Sequence, residues 1–350
     1  MTGIDSNINS SPTRKVIFGI LLLLFLLLLI LDLILGSVSI PISEIYRIMI
    51  GKGTNEVWRT IMLDFRLPKS TVAVLAGAAL SLSGLQMQTI FRNPLAGPYV
   101  LGISSGASLG VAIMVLGSTA FGVFNLSGLG TSLSLAAAAW IGAMAVLMVI
   151  LAVSVRVKDI MTILILGMMF GSAASALVSV LQYFSNESML RAFVIWTMGS
   201  LSSVAGMQLW VFAVAVAFGL IISFFSIRIL NVMLLGEAYS RSVGLNVTAA
   251  RIVVFFSTSL LAGSVTAFCG PIGFIGIAVP HVARMVFKTA NHAVLIPGVV
   301  LLGSIFMLFS DIVAQLPAMD TTLPLNSVTS LLGIPIVIYV VFKNRKFTGV

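Results

Sequence analysis

Long apolar runs, separated by short clusters of polar and helix-breaking residues, dominate this chain. Taking about 20 apolar residues as one bilayer crossing, the runs near 16–36, 70–90, 98–117, 132–155, 160–184, 207–229, 250–268, 272–287, 293–315 and 324–342 predict ten transmembrane helices. An even number of crossings puts both termini on one side. Between Gly263 and His281 the breakers Gly270, Pro271, Gly273, Gly276 and Pro280 crowd one hydrophobic stretch. Irregular backbone at membrane depth is tolerated only where protein buries it or it lines a watery cavity, so the eighth span is expected to be short and broken. After Arg92 and Asn93 the chain turns through Pro94 and Pro98, then re-enters apolar sequence with Gly102, Gly106 and Gly110 four apart. That spacing puts the glycines on one helical face, which a neighbouring helix can approach closely.

Composition supports the pattern. Apolar residues make up 59% and charged residues 8%, with a mean hydropathy of +1.17, whereas about a quarter of a soluble domain is charged. The expectation is an all-α polytopic membrane protein forming one transmembrane domain over residues 1–350. The net charge of +9 does not indicate nucleic-acid binding, because the basic residues are scattered between apolar runs and form no stripe. They read as topology signals. Cytoplasmic loops carry the excess of Lys and Arg. With the N-terminus inside, the inner segments hold 13 of the 19 basic residues, among them Arg14, Lys15, Arg92, Arg156, Lys158, Arg251 and Lys346. Both termini are therefore expected to be cytoplasmic, with residues 1–15 an inner tail. The run from Val16 to Leu35 is too long for a signal-peptide core and lacks a small-residue cleavage pattern, so it reads as a retained helix.

Five of the other six basic residues, Arg47, Lys52, Arg59, Arg66 and Lys69, fall in the outer segment 37–69. Two readings stand. Either these charges are merely solvated, or they present cations to a soluble partner, since rim charges steer docking and fix register. The inner connection 231–250 is the longest of its kind, and its run Gly236 to Gly244 predicts a short helix stopped at Gly244. Such a helix either rests on lipid headgroups or binds a partner, and its scarcity of large apolar and basic residues disfavours lipid.

Candidate chemistry is sparse. One cysteine, Cys269, and two histidines give no disulfide framework and no metal-ligand spacing. Cys269 reads as a small buried residue, and His281 as a hydrogen-bonded structural histidine in preference to a ligand or proton relay. Gly51-Lys52-Gly53-Thr54 lacks the spacing of a phosphate loop, and no such loop occurs elsewhere in the chain. No nucleophile, paired carboxylates or histidine cluster suggests catalysis. Asp32 and Asp311 lie toward the outer ends of their spans, and the scarcity of deeper ionisable groups argues against ion-coupled transport. An ion-gradient-driven secondary transporter or channel stands as the alternative.

The run Phe91-Arg92-Asn93-Pro94-Leu95-Ala96, followed by Leu101-Gly102-Ile103-Ser104-Ser105-Gly106-Ala107, resembles the signature of the FecCD-type permeases, membrane subunits of ABC importers for iron-siderophores, haem and cobalamin. Arg66-Leu67-Pro68, Gly236-Glu237-Ala238, Gly270 to His281 and Leu332-Gly333-Ile334-Pro335 resemble the same family in the same order. The resemblance implies the type II ABC importer permease fold in the plasma (inner) membrane of a prokaryote. It implies a homodimer of ten-helix subunits with two ATPase subunits beneath and an extracytoplasmic substrate-binding protein above. No cofactor is then expected on this chain, because ATP and Mg sit on the ATPases.

By the same resemblance Gly236, Glu237, Tyr239, Arg241 and Gly244 form the coupling helix that meets the ATPase. Arg66 and Lys69, with Arg59, dock the binding protein, and the family's third basic docking position is Gln315 here. The fifth and tenth helices line the channel, with inner gates at Asn93 and Leu95 and at Ile160 and Met161. For the last pair, a hydrophobic seal and a plain helix start at the membrane surface are equally open. The implied cargo is a ferric siderophore first, then haem or cobalamin.

Overall fold

The structure, a computed structural model, describes residues 11–345 apart from 37, 39, 54, 118–130, 158 and 316–321. Most of the expected inner tail, together with Ser37, Thr54, Lys158 and Lys346, lies outside the described residues. All regular structure among the described residues is helical. The helices are α1 (Ser11–Ile34), α2 (Ile42–Met49), α3 (Glu56–Thr60), α4 (Leu67–Ile90), α5 (Ile103–Val115), α6 (Thr131–Arg156), α7 (Ile160–Tyr183) and α8 (Glu187–Thr197). They continue with α9 (Met207–Phe225), α10 (Ile227–Met233), α11 (Glu237–Ser242), α12 (Val247–Cys269), α13 (Ile275–Phe287), α14 (His292–Ala314) and α15 (Leu325–Arg345).

Seven helical stretches among the described residues are long and apolar enough to cross a bilayer: α1, the continuous run Glu56–Ile90, α6, α7, α9, α12 and α14. The apolar stretches Ile103–Val115 (α5), Ile275–Phe287 (α13) and Leu325–Val340 (within α15) are shorter. Each of the ten overlaps one expected run, but the second starts at Glu56, well before the expected 70, so part of the segment expected as loop is helical. α5 is short because Pro98–Leu101 form a 3-10 turn, closed by Gly102 at φ +75°. α13 is short because residues 270–274 are not helical. Gly270 and Phe274 both take positive φ there, and the freed Gly273 N–H donates to Asn326 Oδ1 at 2.9 Å. Two features lack an apolar run to announce them. One is the helix α2. The other is α8, started by Asn186, whose side chain accepts from Met189 N at 3.0 Å.

α4 is the central post. It packs against α9, α12, α13 and α14, and α1 covers α14 from outside. Its sequence is rich in Ala, Gly and Ser, and small residues let helices approach where lipid supplies no hydrophobic drive. No methyl group would fit at Gly77 against the backbone of Gly303, or at Gly84 against that of Gly276. Interhelical hydrogen bonds add to the contact: Ser81 Oγ donates to Val299 O at 2.7 Å and Ser304 Oγ to Val74 O at 2.9 Å. Deeper in, Gln86 binds Ser223, Ser257 and Thr258 at 2.8–3.1 Å, tying α4 to α9 and α12. The expected single glycine face is not what forms, because Gly102 precedes α5 as its left-handed cap and the three glycines meet two different helices. Gly106 and Gly110 press on Gly142 and Ala138 of α6, while Gly102 meets Gly167 and Gly171 of α7.

Candidate functional site

α11 stands between α10 and α12 as a single short turn of helix with defined ends. Gly236 enters at φ +96°, and Ser240 Oγ donates back to the carbonyls of Gly236 and Val232 at 2.8 and 3.1 Å. At the other end Leu245 N donates to Ser240 O at 2.9 Å and Gly244 N to Arg241 O at 3.0 Å. That hydrogen-bond pair, with Gly244 at φ +85°, is a Schellman ending, and it requires the left-handed residue that glycine supplies at least strain. The outward surface is made by Tyr239, 50% exposed, with Leu235, Arg241 and Val243.

Glu237 does not belong to that surface. Its carboxylate turns inward to Arg251 of α12, whose Nε donates to Glu237 Oε1 at 2.9 Å and whose Nη2 contacts the same oxygen. Arg241 approaches the other oxygen at 3.8 Å. Arg251 is 1% exposed, and such a charge is tolerated only when paired and hydrogen-bonded. Its Nη1 also donates to Val157 O at 3.3 Å, just beyond the end of α6. Asp159 follows and caps α7, accepting from Met161 N at 3.4 Å, Thr162 N at 2.8 Å and Thr162 Oγ1 at 2.7 Å. Those hydrogen bonds from Thr162 hold its carboxyl below the ordinary range. Ile160 and Met161 are thus the first residues of a capped helix, with Met161 exposed.

The segment carrying Asn93 and Leu95 is held from the opposite side. Asn93 Oδ1 accepts from Leu95 N at 2.9 Å, an Asx turn. His281 Nε2 lies 2.7 Å from Pro94 O, and because a carbonyl only accepts, this nitrogen carries the proton. His281 is therefore hydrogen-bonded and structural. One turn further along α13, Arg284 Nη1 donates to Gln88 Oε1 at 2.5 Å. Arg92, at φ +48°, lays its guanidinium beside Gly236, where an added Cβ would meet Nη1 at 3.1 Å. The segment 93–95, the start of α7 and α11, expected as gates and coupling helix, therefore adjoin at one end of the molecule.

At the other end the expected docking cations are mostly engaged. Arg66 is 9% exposed and donates to Leu33 O and Ile34 O at 2.8 Å each, with a further contact to Val38 O. These carbonyls at and beyond the end of α1 need a donor, which explains why Arg66 points inward. Lys69 Nζ lies 2.8 Å from Asp311 Oδ2. Gln315 joins Asp311 at 2.9 Å to Asp32 at 3.1 Å, and Ser70 donates to Asp32 at 2.5 Å. Of the three residues expected to dock a partner Arg59 is the exposed one; Lys52 is exposed as well, and Arg47 pairs with Glu44 at 2.9 Å.

No group of three or more metal-ligating side chains comes together among the described residues. Arg251 and Arg284 escaped the sequence reading as site residues. The available signal for Arg251 was a cation just inside an apolar run, next to a loop whose lone carboxylate is Glu237.

The chain is similar to known proteins. The chain is 35% identical over 328 residues to the hemin transport system permease protein HmuU of Yersinia pestis, covering 93% of this chain and 96% of that one. It is 35% identical over 296 residues to the vitamin B12 import system permease protein BtuC of Salmonella arizonae, covering 85% of each. An inward-facing structure of a metal-chelate type ABC transporter superposes with a TM-score of 0.81 at 30% identity, over 94% of this chain and 99% of that one. PsaBC from Streptococcus pneumoniae shares the fold at a TM-score of 0.53 and 14% identity. The model of the FecCD transport family matches residues 22–343, and the chain belongs to that family.

Proposed function

We propose that this chain is the membrane-spanning permease subunit of an ATP-binding-cassette importer, a ten-span protein of a prokaryotic plasma membrane with both termini cytoplasmic. Two copies form the translocation path, two separate ATPase subunits bind the α11 surfaces, and an extracytoplasmic binding protein delivers cargo at the opposite face. The observation that carries this reading is α11 itself. It is a short helix with a fixed end, rooted by the pairing of Glu237 with buried Arg251 and presenting Tyr239, Arg241 and Val243 outward.

Transport proceeds by alternating access. Closure of the ATPases favours one of two states of the dimer, and only differential binding to the two states shifts their populations. α7 and α15 line the path. Exposed Ser172, Ser175 and Ser179 of α7 support that placement, since a purely lipid-facing surface has no need of a hydroxyl stripe. Asn93, Leu95, Ile160 and Met161 close the cytoplasmic end, and Arg59 offers the accessible outer cation to the binding protein. The cargo is a bulky metal chelate, a ferric siderophore, haem or cobalamin; the names of the haem and vitamin B12 relatives support that class.

Uptake of hemin and of cyanocobalamin into proteoliposomes holding permease, ATPase and binding protein tests the proposal. ATP-dependent accumulation of either is the expected result. Accumulation driven by an imposed ion gradient without ATPase would replace this reading with the secondary-transporter one.

A further inference from the structure

We infer that Arg251 is a positioning residue that transmits movement of α11 to the α6–α7 junction and so to the gate at Ile160 and Met161. The inference rests on the coupling role proposed for α11. One buried guanidinium reaches both sides of the connection. Its Nε holds Glu237 of α11 at 2.9 Å and its Nη1 holds Val157 O at 3.3 Å. Two residues beyond Val157, Asp159 fixes the first turn of α7 through Met161 N and Thr162 N. The path Glu237, Arg251, Val157, Asp159, Met161 therefore consists of hydrogen bonds and short chain segments, with no solvated gap at Arg251, which is almost fully buried.

The geometry also explains why arginine serves here. Its planar fork presents several donors in fixed directions, whereas a lysine ammonium is a point charge on a flexible stem. A lysine can keep the pair with Glu237 but not the simultaneous bond to Val157 O. Exchanging the two charges, with glutamate at 251 and arginine at 237, likewise restores an ion pair but sets a carboxylate against the Val157 carbonyl. Both changes retain the α11–α12 contact and break the branch that leads to the gate.

The test uses the full complex in proteoliposomes, with Cys269→Ser as background and a spin label at Ile165→Cys, one turn inside α7. Wild type, Arg251→Lys and the exchange Glu237→Arg with Arg251→Glu are compared for ATPase co-purification, ATP hydrolysis, hemin uptake and the 165–165 distance with and without ATP. Both variants are expected to assemble and hydrolyse ATP, to lose most of the nucleotide-dependent distance change, and to carry about tenfold less hemin per ATP, within the usual range of coupling between sites. A wild-type distance change in either variant overturns the inference, because a merely structural ion pair is rescued by the exchange. Failure of the wild type itself to bind an ATPase defeats the coupling role of α11 as well, and is distinguishable from failure at Arg251 alone.

Discussion

Lys69 Nζ lies 2.8 Å from Asp311 Oδ2, joining the start of α4 to the end of α14 with both side chains largely buried, at 18% and 6% exposure. Removing one member of such a pair leaves an uncompensated charge, which costs about 3–5 kcal/mol, whereas replacing both is often neutral. Lys69→Met should therefore lower the thermal unfolding midpoint in detergent sharply, and Lys69→Met with Asp311→Asn should recover most of it. If the double variant is no better than the single one, Lys69 is not paired as described.

Gly106 faces the backbone of Gly142 and the side chain of Val146 on α6, and a Cβ would meet the Gly142 carbonyl at 2.6 Å. Backbone cannot yield as a flexible side chain can. Gly106→Val should cost at least about 1–3 kcal/mol by overpacking, read as earlier thermal unfolding. Gly263→Ala is the control, since its Cβ would find Ala143 at 3.7 Å and Ile103 at 3.8 Å. Equal midpoints for the two variants would contradict the close α5–α6 contact.

Met161→Gly and His281→Ala act on the two segments proposed as gates by different routes. The first trims an exposed apolar side chain at the start of α7, and the second frees Pro94 O from its 2.7 Å bond. Both should raise passive leak or uncoupled ATP hydrolysis in proteoliposomes by severalfold. Unchanged values in both would count against the gate assignment.

The Asp159 cap sets a pH expectation whose sign follows from its lowered carboxyl pKa. A group with a depressed folded-state pKa stabilises above its ordinary value and loses that contribution as pH falls through the folded value. The first turn of α7 should keep its amide protection from neutral pH down to about pH 4, and lose it only in stronger acid. Asp159→Asn should preserve protection, because asparagine also caps well, and Asp159→Ala should not. Hydrogen exchange at residues 161–163 reads this directly, and a protection loss near pH 6 would implicate another group.

Much of this molecule was legible in the sequence. The ten apolar runs, the broken stretch after Gly270, the close-packing glycines 102, 106 and 110, and the stop at Gly244 all follow from local rules of length, periodicity and backbone freedom. The long-range pairings did not. Lys69 and Asp311 are 242 residues apart, and Glu237 finds its counter-charge in Arg251 on the next helix. Nothing in residues 60–70 announces that Arg66 will turn back to close the end of α1. α8 was missed because an 11-residue helix of mixed polarity lacks the length by which membrane spans declare themselves.

The most direct test of the importer reading is permease-dependent ATP hydrolysis in proteoliposomes carrying this chain and its candidate ATPase. Wild type is compared with Glu237→Arg combined with Gly244→Pro, which breaks the root and the end of α11. The account predicts that wild type binds the ATPase and changes its hydrolysis, and that the double variant inserts normally yet loses both. A wild-type chain that neither binds the ATPase nor alters its rate would contradict the account, and ion gradients would then be the driving force to impose.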